Sequence, residues 1–200
     1  MATTLMVDYI ISLDGYGAGE GWPGFWGLEG PEYLAWLGED AQDGLIHLMG
    51  STTYRLMAAF AGQSQDAGSQ ALDDARKIVF SSTLDEPLSW RNTELARGDA
   101  VTVVRELKDR ETLPLRTLGS LSLSRSLLRA GVVDRFRVVV FPVITGVTGR
   151  ERIFDDYPDV ALELCPEPHL RRAPAAAGVH PDGARWTAAV TAAGSPGARR

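Results

Sequence analysis

Residues 115–141 constrain the fold more than any other part of the chain. A short apolar strand, Leu115–Leu118, ends at Gly119-Ser120. A helix follows, with Leu121, Leu127 and Leu128 available for its buried face, and Gly131 stops it. A β-branched strand, Phe136–Phe141, then runs into Pro142. A strand–glycine–helix–strand unit of this kind places backbone N–H groups and a positive helix end where a phosphate would sit, and Gly119 permits close backbone approach. Tight strand-to-helix turns also need glycine for purely structural reasons, so both readings stand at this point.

The same alternation extends toward the N-terminus. Thr4–Leu13 alternates and reads as a first strand, followed by a turn-rich loop, Asp14–Gly21. Trp22, Phe25 and Trp26 are interleaved with Pro23, Gly24 and Gly27. Such aromatics serve either as a lid over an apolar ligand or as anchors for the loop on the core. Pro31–Asp40 predicts a helix with proline in its first turn. Leu45–Met49 predicts a short buried strand, turned by Gly50-Ser51-Thr52-Thr53 into a helix over Tyr54–Phe60. Gly62–Gly68 reads as a polar loop. Lys77–Phe80 is a third strand closed by Ser81-Ser82-Thr83, and Ala100–Val104 a fourth, with a short helix over Glu106–Arg110. Strands alternating with helices over short connections predict an α/β sandwich with a largely parallel sheet. In such a sheet the hydroxyl- and glycine-bearing turns Gly50-Ser51-Thr52, Ser81-Ser82 and Gly119-Ser120 share the carboxyl edge, where ligands bind. Together they predict a polyphosphate or dinucleotide stretched along that edge.

Composition bounds the partners. The 200 residues carry a formal net charge of −6 and 44% hydrophobic residues, which argues against nucleic acid or an anionic membrane as partner. Cys165 is the only cysteine, so no intrachain disulfide and no thiolate zinc site are expected. His47, His169 and His180 lack ligand spacing, so no metal is expected either. No signal-length or membrane-length apolar run is present, and a cytoplasmic location is the expectation.

Several motifs occur in a fixed order: Ile11-Ser12-Leu13-Asp14-Gly15, Leu48-Met49-Gly50-Ser51-Thr52-Thr53-Tyr54, and Ile78-Val79-Phe80-Ser81-Ser82-Thr83. They are followed by Gly119-Ser120 with Leu127–Asp134, and then Phe141-Pro142-Val143-Ile144-Thr145-Gly146. On these the chain resembles the dihydrofolate-reductase-like superfamily over roughly residues 3–164, and more closely the branch that contains the reductase domain of bacterial riboflavin biosynthesis. The resemblance implies a three-layer sandwich with a central, mostly parallel sheet flanked by helices. It also implies NADPH as hydride donor (NADH not excluded), a small-molecule substrate and a homodimer. Carried across residue by residue, Gly50, Ser51, Thr52 and Thr53 would lie beside the cofactor phosphates and Ser81 and Ser82 near the adenosine half. Leu118, Gly119, Ser120 and Leu121 would meet the nicotinamide side and the pyrophosphate. Asp14, Trp22, Trp26, Tyr33 and Tyr54 would border the substrate pocket.

The chain departs from that pattern in places that matter. Family members commonly place arginine after the glycine of the second turn, on the cofactor's adenosine phosphate; here it is Ser51, leaving Arg55, Lys77 and Arg105 as candidate cations. At the position where dihydrofolate reductases carry their acidic group stands Tyr33, with Glu32 roughly 100° around the helix. Folate reduction is therefore not expected. Asp14 or Glu32 remains as a group to polarise another substrate, Asp14 alternatively as a turn cap before Gly15. The reading is an NAD(P)H-dependent reductase of a pyrimidine- or pterin-like heterocycle or a carbonyl compound, resembling 5-amino-6-(5-phosphoribosylamino)uracil reductase. The alternative is a non-catalytic nucleotide-binding protein with the same fold.

The pattern stops after Leu164. Residues 165–200 form a Pro-, Ala- and Arg-rich tail whose composition reads as disordered. Synonymous codons for Cys165–Trp186, read one nucleotide later, spell ARSRTFDGRLQLLEYTPTVLDG, which has the alternation of the polar hairpin and final apolar strand usual in the family. The tail is thus expected to derive from a shifted reading frame, with the domain proper spanning 1–164.

Overall fold

Leu5, Val7, Tyr9 and Ile11 are buried on one face of the first strand, β1 (Leu5–Ser12), as its alternation requires. The computed structural model describes residues 2–21, 26, 28, 30–41, 44–62, 67–157 and 159–163, without the side chains of Glu32, Ala41 and Ala67. Trp22 and the tail from Cys165 onward lie outside the described residues. Along the chain follow β2 (Tyr16–Gly19), α1 (Pro31–Ala41), β3 (Ile46–Gly50), α2 (Ser51–Phe60), α3 (Ala67–Asp74), β4 (Arg76–Phe80) and β5 (Thr93–Ala96). The remaining elements are α4 (Ala100–Arg110), β6 (Leu115–Thr117), α5 (Leu121–Arg129), β7 (Arg135–Phe141) and β8 (Gly149–Arg152).

Six strands form one sheet in the order β5-β4-β3-β6-β1-β7, every pair parallel. β2 and β8 form a separate antiparallel pair. One face of the sheet packs Leu5, Ile46, Leu48, Ile78 and Leu115 against Val104 and Leu107 of α4 and Leu123 and Leu127 of α5. The other face packs Met49 and Val79 against Tyr54 of α2, Leu72 of α3 and Trp90. This is the expected α/β sandwich with helices on both faces.

Residues 100–104, expected as a strand, open α4 instead. Val101, Val103 and Val104 favour strands by propensity, but the Asp99 carboxylate accepts the Thr102 N–H at 2.8 Å and caps a helix. Val104 and Leu107, one turn apart, are both fully buried. Cap and amphipathic spacing outweigh local propensity. The polar stretch expected as loop through Gly68 already carries the start of α3, whose end Lys77 anchors. Its Nζ is fully buried and donates to the carbonyls of Leu72, Asp73 and Ala75 at 2.8, 3.0 and 2.6 Å.

Beneath α1, on the amino half of the sheet, two buried arginines meet two half-buried aspartates. Arg137 grips Asp8 and Asp40, with Nε 3.0 Å from Asp8 Oδ1 and Nη1 3.0 Å from Asp40 Oδ1. Arg116 Nη1 lies 2.6 Å from Asp40 Oδ2. The Trp36 ring lies over Arg137 at 4.8 Å. Burial raises the Asp40 carboxyl, and the hydrogen bonds and charges of Arg137 and Arg116 more than reverse this, holding it below its ordinary range. No helix among the described residues is long and apolar enough to cross a membrane.

Candidate active site

Strand register fixes what meets at the carboxyl edge. Gly50 pairs with Phe80 and Phe80 with Ala96, while Ser12 pairs with Phe141. β3 is joined to β6, whose last residue Thr117 pairs with Leu48. The turns at 50–53, 81–84 and 118–121 therefore stand in one row.

The centre of that row is a hydroxyl bridge between two helix starts. Ser120 Oγ accepts the Gly50 N–H at 2.8 Å and donates to Thr53 Oγ1 at 2.8 Å. This ties the N-terminus of α5 to that of α2. Gly119 and Ser120 both adopt left-handed backbone, with φ of +56° and +66°. For serine that conformation is costly and persists only where the surroundings impose it. A Cβ on Gly119 would meet Thr53 Oγ1 at 3.4 Å. The starts of α2 and α5, at Gly50 and Ser120, carry no side-chain cap, in contrast to α4, which Asp99 caps. Two converging, uncapped helix starts beside a small-residue turn present N–H donors and positive dipole ends to one point, the arrangement that a pyrophosphate needs. The chain's residues thus fit a dinucleotide cofactor. Of the expected set, Gly50, Ser51, Thr52, Thr53, Gly119 and Ser120 come together at this point. The side chain of Leu118 packs on the Met49/Val79 cluster and that of Leu121, the first residue of α5, on the Val7/Ile11 cluster.

Toward β7 the edge is walled by aromatic rings. Phe141 stands edge-on to Tyr33 at 5.3 Å and tilted to Trp26 at 6.1 Å; Tyr33 in turn meets Trp36 at 5.6 Å. Trp26 is held with φ of +50° and presses its Nε1 side against Gly19. Trp26 and Tyr33 are thus brought together, as expected, and Phe141 joins them.

Two of the expected side chains are already engaged within the fold. Asp14 is a turn lock rather than a free acid. Its carboxylate accepts from Ser12 Oγ at 2.6 Å, from the Gly146 N–H at 2.8 Å and from the Thr145 N–H at 3.1 Å. Burial pulls its pKa up, but these donors prevail and hold it at about 2. Tyr54 does not border the aromatic cleft. It is 5% exposed, packs with Met49, Val79 and Trp90, and exchanges hydrogen bonds with Ser89. Helical geometry explains this: Tyr54 and Thr53 point to different sides of α2, and only Thr53 faces the edge. The side chain of Glu32 lies outside the described residues.

At the β4 end, Ser81 Oγ is occupied by the N–H groups of Thr83 and Leu84, at 3.1 and 3.2 Å, and shapes the loop from within. Ser82 is exposed. Of the candidate cations, Lys77 is buried beneath α3, and Arg105 reaches the carbonyl of Ala130, at the end of α5. Arg97, which the sequence reading passed over, donates to the carbonyls of Leu84 at 2.8 Å and Ser82 at 3.5 Å. Its signal in the sequence was its place directly after a strand, but β5 itself was not foreseen.

Comparison with known proteins agrees with this architecture. No curated protein matches the chain. Among solved structures, a riboflavin biosynthesis protein from Shewanella sp. PV-4 aligns with 22% identity and a TM-score of 0.57, covering 80% of this chain and 86% of that one. A pyrimidine reductase-like protein from Corynebacterium diphtheriae aligns with 14% identity and a TM-score of 0.54, covering 84% and 88%. The deaminase/5-amino-6-(5-phosphoribosylamino)uracil reductase from Thermotoga maritima aligns with 16% identity and a TM-score of 0.55, covering 82% of this chain and 51% of that one. These establish the shared fold. The model of the RibD C-terminal domain matches residues 3–174, and the chain therefore belongs to the RibD C-terminal domain family.

Proposed function

We propose that this protein is an NADPH-dependent reductase of a small planar substrate, a pyrimidine-like heterocycle or a carbonyl compound. The single observation that carries the reading is the bridge from Ser120 to Gly50 and Thr53, which brings two uncapped helix starts to one point. Family membership and the neighbours' reductase titles support it.

When bound, the dinucleotide supplies a hydride from C4 of its nicotinamide ring. The first-turn N–H groups of α2 and α5 would hold the pyrophosphate, with Gly119 leaving room for it. Ser12 and Phe141, at adjacent strand ends, set the floor beside the aromatic wall of Trp26 and Tyr33. Those rings orient a flat substrate and keep water from the transfer. Asp14 holds the 145–146 turn against the end of β1 and so fixes the mouth of the cleft. A second reading, a nucleotide-binding protein without catalysis, draws on one observation: the Asp14 carboxylate is ionised and engaged, so it is no proton donor.

The deciding experiment mixes the full chain with NADPH and a panel of pyrimidines, pteridines and small carbonyls, following absorbance of the reduced cofactor. Substrate-dependent oxidation is expected. Saturable NADPH binding with no oxidation across the panel establishes the second reading, and absence of binding by folded protein overturns both.

A further inference from the structure

The site as described leaves one end of a dinucleotide unassigned. The cradle sits at the ends of β3 and β6, so the two halves of the ligand extend to opposite sides of it. On the β1/β7 side stand the aromatic rings, where a hydride acceptor can be shielded from water. On the β4/β5 side the edge is polar and exposed, suited to a half that is only anchored. Gly50, Phe80 and Ala96 are register partners across three adjacent strands, which puts the end of β5 about 10 Å from the cradle strand at the usual interstrand spacing. Arg97 is the next residue after Ala96. It is exposed, has no carboxylate within ion-pair distance among the described residues, and its guanidinium is steadied over the 82–84 turn by the carbonyls of Ser82 and Leu84.

We infer that Arg97 is the residue that selects a phosphorylated adenosine ribose, and hence NADPH over NADH; this rests on the cofactor reading above. Arginine keeps roughly five N–H donors in a planar fork. Two are directed at carbonyls, and the rest are open to a phosphate one ribose beyond the pyrophosphate. The exclusion of competitors supports the assignment. Lys77 is fully buried on three carbonyls, Arg105 serves the end of α5, and position 51 is serine. Arg55 is the remaining cation, exposed on the second turn of α2 with no fixing bond among the described residues.

The test is equilibrium binding of NADPH and of NADH, each by tryptophan quenching, to the wild-type chain, Arg97→Gln, Arg97→Lys and Arg55→Gln. Wild type should prefer NADPH. Arg97→Gln should weaken NADPH about 10- to 100-fold, the worth of charge-assisted hydrogen bonds to phosphate, and leave NADH unchanged. Arg97→Lys should retain part of the preference. Equal weakening of both cofactors would show that Arg97 only braces the 82–84 turn and would overturn the inference. So would an unchanged preference in Arg97→Gln, or its loss in Arg55→Gln instead. A folded wild type that binds neither cofactor overturns the cofactor reading itself; one that binds both equally spares that reading and removes the selectivity of Arg97.

Discussion

Arg116 and Arg137, in the amino half of the sheet, are more than nine-tenths buried and direct their donors at Asp8 and Asp40. At the carboxyl edge the opposite holds. Gly50 and Ser120 start two helices without side-chain caps, and the backbone at Gly119-Ser120 is held left-handed. One end of the sheet pairs its charges with one another, though Arg116 Nε and His47 Nδ1 stay buried without a hydrogen bond among the described residues; the other leaves donors facing outward and carries conformational cost. Buried charges that pair with one another serve structure, while uncapped helix starts around a strained turn leave donors that a bound anion would use.

The largest effect should come from breaking the paired end. Asp40→Ala leaves Arg137 and Arg116 short of a counter-charge in a buried place and should cost about 3–5 kcal/mol, read by urea unfolding. NADPH affinity of the folded variant should be unchanged; a parallel loss would erase the distinction between the two ends. Gly119→Asp attacks the open end. It sets a carboxylate against the pyrophosphate at a position with φ of +56° and should weaken NADPH by more than about a hundredfold, the cost of like charges in contact. Unchanged affinity in a folded variant would remove the phosphate site from this turn.

Ser120→Ala sharpens the same comparison at smaller scale. It deletes the bridge to Gly50 and Thr53 and should cost about 1 kcal/mol of stability together with a modest loss of NADPH affinity. A stability loss with no change in affinity would make the bridge purely structural. Smallest is Asp14→Asn, followed by melting temperature against pH. The folded carboxyl lies at about 2, below the ordinary carboxylate value. Its contribution is therefore fully present above the unfolded pKa and is lost as pH falls through the folded one. The gap between wild type and variant should be full at pH 5 and close between about pH 4 and pH 2; a gap independent of pH would mean that Asp14 acts by shape rather than charge.

The β6–α5–β7 unit was legible from residues alone because Gly119, the leucines of α5 and Gly131 each act locally. So was the meeting of the 50–53 and 119–120 turns at one edge, since strand-to-helix turns announce themselves by composition. What stayed hidden depends on distant partners. Val101–Val104 carried a strand-like composition, and only the Asp99 cap and the packing of Val104 and Leu107 made it helical. Phe141 became a wall of the cleft through its register with Ser12 and its contact with Tyr33, more than a hundred residues away. Asp14 reads from the sequence as a turn cap or, less readily, as a group to polarise substrate; the N–H groups of Thr145 and Gly146 that engage it lie across the fold. Arg97 gains its place from β5, a strand too short and too polar to read in advance.

Backbone hydrogen exchange of the full chain, with and without saturating NADPH, tests the central claim most directly, because it reads both ends of the sheet in one experiment. The account predicts slowed exchange at Ser51–Thr53, Ser81–Leu84 and Leu121–Leu123, with the segments around Asp8, Arg116 and Arg137 unchanged. Slowing confined to the amino half, or none at the carboxyl edge while the cofactor is bound, would contradict it.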